Sequence, residues 1–206
     1  HGGESRIDEF SPWKNGTYGG GKGDAYLDFI VNELKPVIDL LYRTKPDRAH
    51  TALMGSSLGA LSTLYASFKY ESTFSKFGVF SPSLWFSDSI YILPKINAHK
   101  NPVKIYLMSG ILESSTQAQE TYNMRDSLYK FGYSDDEIRC EIKNDGTHSE
   151  WFWKREFEAA YKWLFSSIEK EETATSNQQP DVMVHNKKKK NKAVISTRGL
   201  AGTCIV

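Results

Sequence analysis

The 206-residue sequence predicts an α/β fold, a mostly parallel β-sheet with helices on both faces. Three observations carry that expectation. Apolar runs of strand length alternate four times with segments of helical periodicity, the order that builds parallel strands joined by crossover helices. The length allows one domain with a sizeable core and is too short for two. Apolar residues at 39% and aromatic residues at 13% are those of an ordinary globular chain.

The elements follow in order. Residues 1 to 23, "HGGESRIDEFSPWKNGTYGGGKG", are rich in glycine and polar residues and read as a long ordered loop. From Asp24 to about Tyr42, apolar residues recur at three- and four-residue spacing (Tyr26, Phe29, Ile30, Leu34, Val37, Ile38, Leu41), which predicts an amphipathic helix. Pro36 should kink that helix or split it. "HTALMG" (50 to 55) is a buried strand, followed by a helix from about Leu58 to Tyr70. "FSKFGVFS" (74 to 81) is the next strand, with a short helix around 88 to 98. "VKIYLMSG" (103 to 110) precedes a helix over Thr116 to Phe131. "EIRCEIKND" (137 to 145) precedes a strong terminal helix, "SEWFWKREFEAAYKWLFSSI" (149 to 168). The domain is expected to end at 169, with 170 to 206 a disordered polar and polybasic tail.

Charge is unevenly placed. Residues 171 to 206 hold six basic side chains (Lys187, Lys188, Lys189, Lys190, Lys192, Arg198) against Glu171, Glu172 and Asp181. Taking these from the chain totals of 26 and 25 leaves 20 basic and 22 acidic residues in the first 170. The globular part is thus mildly acidic and shows no nucleic-acid footprint, and the lysine run reads as a solvated tail. Two cysteines, Cys140 and Cys204, make no disulfide framework, and Cys204 is one position too late for prenylation. No apolar stretch approaches 18 residues, so no membrane span is expected. The chain starts at His1 in loop-like composition, so the middle and end of a longer protein are expected, with any signal peptide out of view. The compartment stays open, with a lean toward the cytoplasm.

Gly55-Ser56-Ser57-Leu58-Gly59 fits GxSxG, with Ser57 central. The pattern gains force from its setting. "TALM" before it and "ALSTLYASF" after it give the strand-turn-helix of a nucleophile elbow, where a side chain at the flanking glycines would collide with the neighbouring strand or helix. A serine hydroxyl needs a general base, normally a histidine oriented by a carboxylate. His148 alone among five histidines follows a strand and precedes a helix, which puts it at the carboxyl edge of a parallel sheet beside the elbow. His1, His50, His99 and His185 lie elsewhere. The acid should fall between them in the chain: Glu113 fits, following the third strand, while Asp145 on the histidine's own loop and Asp88 after the second strand remain open.

Trp85, Phe86 and Trp151 are placed to line a substrate pocket, whereas Trp153 reads as packing between helix and sheet. "GTYGGGKG" (16 to 23) nearly matches a phosphate loop, but Gly23 stands where Ser or Thr should hold magnesium and no strand precedes it, so a mobile flap is the better reading. Asn15-Gly16-Thr17 is a glycosylation sequon, of consequence only in a secreted protein. No His, Cys or carboxylate cluster has ligand spacing, so neither metal nor cofactor is expected.

The segments "RIDEFSPW" (6 to 13), "KPVIDLLYRTKPDRAHTALMGSSLGALSTLYASFKY" (35 to 70), "FSPSLWF" (80 to 86) and "DGTHSEWFWKREF" (145 to 157) resemble the Putative esterase family of α/β hydrolases, which includes esterase D, enterochelin-type siderophore esterases, and feruloyl and acetylxylan esterases. The resemblance spans about residues 2 to 168. It implies the C-terminal portion of an α/β-hydrolase fold, with Ser57 as nucleophile, His148 as base, Glu113 as acid and the Leu58 N–H as one oxyanion donor. It further implies a serine hydrolase acting on a small-molecule or carbohydrate-linked carboxylic ester; charge and hydropathy lead us to expect neither nucleic acid nor membrane as partner, and the oligomeric state is unset. Family members carry roughly 80 to 120 residues before this point. A second oxyanion donor and a strand beside the nucleophile strand are therefore expected to be missing. The competing expectation is a truncated, inactive fragment that at most binds.

Overall fold

The structure, a computed structural model, describes residues 3–97, 101–176 and 203–205. A short 3-10 turn and α1 (Arg6–Phe10) lead into a small antiparallel hairpin of β1 (Lys14–Asn15) and β2 (Gly19–Gly20). The helix expected over 24 to 42 runs as α2 (Gly23–Phe29), a π segment (Ile30–Leu34) and α3 (Lys35–Leu41), but of its expected apolar face Phe29, Val37, Ile38 and Leu41 are exposed. Pro36 splits it in hydrogen bonding only. The Lys35 N–H reaches back to Ile30 O, five residues away, and the dihedrals stay right-handed helical through Ile30 and Lys35. Proline removes one donor, and a π turn just before it shifts the register that the missing N–H interrupts.

The main sheet contains β3 (Ala52–Ser56), β4 (Lys76–Phe80), β5 (Lys104–Gly110) and β6 (Ile138–Lys143), all parallel, in the order β6-β5-β4-β3. Helix α4 (Leu58–Lys69) follows β3. 3-10 turns (Leu84–Phe86, Asp88–Ile92) and α5 (Leu93–Ile96) follow β4, where one short helix is expected. Helix α6 (Gln117–Lys130) follows β5, and α7 (Glu150–Ser176) follows β6. Register aligns the carboxyl ends: Ser56 faces Phe80, Phe80 faces Met108, and Met108 faces Glu141.

The two sides of the sheet are written in alternating residues, as the two-residue strand period requires. Leu53, Phe77, Val79, Ile105 and Leu107 pack with Leu27, Leu61, Leu64, Met124 and Leu128 on one face, under α2, α4 and α6. Met54, Phe80, Tyr106 and Met108 pack with Phe152, Trp153, Ala160 and Leu164 of α7 on the other.

Two stretches beyond 169 are among the described residues. Helix α7 continues to Ser176, through Lys170, Glu171, Glu172 and Ala174, all good helix formers with no proline or glycine to stop them. Thr203–Ile205 form β7, antiparallel to β3 in the register Leu53 to Ile205, Met54 to Cys204 and Gly55 to Thr203. The outer edge of β3, expected to lie open, is therefore paired over these three residues, since an unpaired edge is a template for any nearby extended segment. The lysine run at 187 to 192 and His185 lie outside the described residues, as do His1 and His99.

The burial pattern yields a stability prediction. Phe77 is fully buried, edge-on to Phe74 at 6.2 Å between ring centroids. Phe77→Ala should cost about 3–5 kcal/mol in urea denaturation, whereas Leu40→Ser on α3, where Leu40 is 83% exposed, should stay within about 0.5 kcal/mol.

Candidate active site

Ser57 sits on the one-residue turn between β3 and α4 at φ 59°, ψ −124°, a conformation that any residue with a Cβ disfavours. Backbone bonds over-determine it. The Ser57 N–H donates to Phe80 O at 3.0 Å, and Ser57 O accepts from Ala60 N and Leu61 N at 3.1 Å each and from Ser83 N at 3.2 Å. Gly55 is required just before the turn: a Cβ there would lie 2.3 Å from Gly59 O. Leu58 opens α4, so its N–H belongs to the first helical turn, which has no intrahelical acceptor.

Two loops bring a carboxylate and an imidazole to this turn. After β5, Ile111 N donates to Lys143 O at 2.9 Å and Leu112 N to Gly146 O at 3.0 Å, tying the loop to the segment that follows β6. Contact is closest where two glycines meet. A Cβ on Gly110 would stand 2.1 Å from Gly146 O, and one on Gly146 would strike the Phe152 ring at 2.4 Å. Across this seam, Glu113 Oε2 and His148 Nδ1 are 2.8 Å apart, and His148 Nε2 is 3.0 Å from Ser57 Oγ. With the proton on Nδ1, the ring donates to Glu113 and accepts from the Ser57 hydroxyl. The Glu113 side chain is 1% exposed and the His148 side chain 41%. Burial is tolerable for the carboxylate because its other oxygen, Oε1, accepts from Gly110 N at 2.5 Å and from Ser81 Oγ at 2.7 Å.

The other two carboxylates that the sequence leaves open differ in their surroundings. Asp145 takes a bidentate ion pair from Arg155 at 2.6 and 2.9 Å, and that guanidinium holds its carboxyl below the usual range. Asp88 begins the 3-10 turn beyond Trp85 and Phe86. Cys140 is no rival nucleophile, since burial pushes its thiol up to about 11.

Trp85 is exposed and takes the Tyr18 ring edge-on at 5.4 Å, so the glycine-rich hairpin rests against it. Phe86 lies buried beneath, 5.8 Å from Trp85 between ring centroids, and a Cβ on Gly20, which sits at φ 96°, would reach its ring at 3.0 Å. Trp151 is exposed, with the Arg155 guanidinium 5.0 Å over its ring. The hairpin offers phosphate little: Gly20 N donates to Asp8 Oδ1 at 2.9 Å, and Lys22 pairs with Asp8 Oδ2 at 2.9 Å. Asn15 of the sequon is committed too, with Nδ2 donating to Phe86 O at 3.1 Å and Oδ1 accepting from Thr17 N and Tyr18 N. Among the described residues, no three His, Cys, Asp or Glu side chains group as a metal site, and no helix is long and apolar enough to cross a membrane.

Sequence reasoning passed over four contributors. Ser81 ends the expected strand over 74 to 81 and Ser83 carried no expected role, yet Ser81 reaches Glu113 and the Ser83 hydroxyl lies 3.4 Å from that of Ser57. Gly110 ends the expected strand over 103 to 110 and Gly146 carried no expected role; only the fold shows that they touch.

The family model described as Putative esterase matches residues 2–201. The chain belongs to this family. Within it or beside it, the chain is 25% identical over 175 residues to the uncharacterized protein YbbA of Bacillus subtilis, covering 79% of this chain and 70% of YbbA. It is 34% identical over 88 residues to the siderophore triacetylfusarinine C esterase of Aspergillus fumigatus, covering 43% of this chain and 29% of that enzyme. The crystal structure of the enterobactin esterase FES from Shigella flexneri in the presence of enterobactin superposes with a TM-score of 0.64 at 20% identity, covering 80% of this chain and 40% of that one. This likeness shows a shared fold, that of the α/β-hydrolase esterases. The chain thus spans less than half the length of these two esterases.

The glycine seam is open to test. Gly110→Ala should lower stability by about 1–3 kcal/mol through overpacking, while Gly16→Ala, whose Cβ would meet nothing within 4 Å, should change it by less than about 0.5 kcal/mol. Chemical denaturation of the two variants beside the wild-type protein makes the comparison.

Proposed function

We propose that this esterase-family chain hydrolyses carboxylic esters through an acyl-enzyme, with Ser57 as nucleophile, His148 as general base and acid, and Glu113 as the carboxylate that orients the imidazole. The observation that carries the reading is the unbroken chain Ser57 Oγ, His148 Nε2, His148 Nδ1, Glu113 Oε2, with steps of 3.0 and 2.8 Å. Ser57 Oγ attacks the ester carbonyl carbon while its proton passes to His148 Nε2. The tetrahedral intermediate expels the alcohol, which takes that proton. Water then gives a proton to His148, attacks the acyl carbon and releases the acid, and Ser57 regains its proton. The Leu58 N–H at the head of α4 is the assigned donor to the oxyanion.

His148 suits this work because its side chain is partly exposed, which admits water for the second half, while Glu113 is sealed and fixed. Trp85 and Trp151 are the apolar surfaces available to an acyl or alcohol group, with Phe86 backing Trp85 from below. The substrate class in this reading is a small-molecule or carbohydrate-linked ester; likeness to a siderophore esterase favours the small-molecule ester. The competing reading, an inactive fragment that only binds, draws on the partial span of the chain against its longer relatives.

Hydrolysis of p-nitrophenyl acetate separates the two. Ser57→Ala should lose about a thousandfold or more in kcat, and Glu113→Gln about 10³- to 10⁴-fold. Asp145→Asn should stay within about threefold, because its exposed pair with Arg155 contributes little. Equal rates for wild type and Ser57→Ala would overturn the assignment.

A further inference from the structure

Ser81 occupies a position whose backbone conformation and side-chain bonds pull in different directions. It follows β4 directly, is fully buried, and has φ 49°, in the half of the map where glycine is at ease and other residues are strained. Its hydroxyl has one possible orientation. An indole N–H can only donate and a carboxylate can only accept. Trp153 Nε1 lies 2.8 Å from Ser81 Oγ, and Ser81 Oγ lies 2.7 Å from Glu113 Oε1. The hydroxyl therefore receives from the indole and gives its proton to the carboxylate.

We propose that Ser81 and Trp153 are positioning residues that hold the Glu113 carboxylate in line with His148 Nδ1, through the relay Trp153 Nε1–H to Ser81 Oγ–H to Glu113 Oε1. This rests on the assignment of Ser57, His148 and Glu113 above and adds two residues to it. The relay closes on itself in space, because the Trp153 ring stands edge-on to the His148 imidazole, with centroids 5.1 Å and planes 89° apart. It also joins three exits of the sheet. Ser81 leaves β4 and ties its N–H to Met108 O of β5 at 2.6 Å, Glu113 lies past β5, and Trp153 lies in the first turns of α7, past β6. A buried carboxylate with Oε1 held by two donors and Oε2 by one has little freedom to rotate. Glycine would relieve the backbone at 81, so the hydroxyl is what serine adds there.

The test uses that contrast. Ser81→Gly removes the hydroxyl while easing the backbone, so the fold keeps its conformation. The kcat for p-nitrophenyl acetate should fall by about tenfold to a hundredfold, the size expected for a lost bond to a charged group, with KM within about threefold. In a Glu113→Gln background the same change should cost less than about threefold, because residues that act as a unit are not additive. Trp153→Phe, which keeps a ring and loses the N–H, should show a smaller loss with the same non-additivity. An unchanged kcat in Ser81→Gly, or an equal loss in both backgrounds, would overturn the proposal. The proton NMR signal of His148 Nδ1–H, expected downfield in the wild type from its 2.8 Å bond to Glu113, needs no substrate: its loss or shift in Ser81→Gly supports the relay, and an unmoved signal contradicts it. If wild type and Ser57→Ala hydrolyse equally, the functional reading fails, and this resonance still judges the relay.

Discussion

The strained turn at Ser57 is the constraint on which the rest of the site depends. A non-glycine residue at φ 59° costs on the order of 1–3 kcal/mol, and it persists because β3, β4 and α4 all hold it. Phe80 O and Ser83 N grip it from the β4 side, and Ala60 N and Leu61 N grip it from the helix. The same turn forces the Gly55 and Gly59 backbones so close that neither strand nor helix could move away without undoing it. What this geometry gains is projection: the hydroxyl leaves the sheet at its carboxyl edge and meets the ends of the next strands.

Those ends arrive together because the parallel register aligns them, from Ser56 to Phe80 to Met108 to Glu141. Register alone leaves the loops free. The contact of Gly110 with Gly146 removes that freedom by joining the loop that carries Glu113 to the loop that carries His148. Burial then differs between the two side chains. The carboxylate is sealed and hydrogen-bonded on both oxygens, while the imidazole faces partly outward, the arrangement expected when one group orients and the other exchanges protons.

Much of this was legible in the sequence, for physical reasons that differ by residue. The strands and helices declared themselves through periodicity, and GSSLG through the need for glycine where backbones cross. His148 followed from a rule about strand ends, which needs only the order of elements, whereas that rule admitted Glu113 together with Asp88 and Asp145. Ser81 was illegible because a serine beside Pro82 has the chemistry of any turn, and its bond to Glu113 spans 32 residues. Gly110 and Gly146 were illegible for the same reason: local sequence cannot say which loops touch. Beyond 169 the polar composition gave no sign of the continued helix to Ser176 or of the short strand that pairs with β3.

The central claim is that Ser57 is a nucleophile activated by its neighbours. Reaction of the protein with a fluorophosphonate, followed by intact mass and peptide mapping, tests it without any choice of substrate. The account predicts a single adduct, on the peptide that contains Ser57. No adduct, or one that maps to another residue, would contradict it.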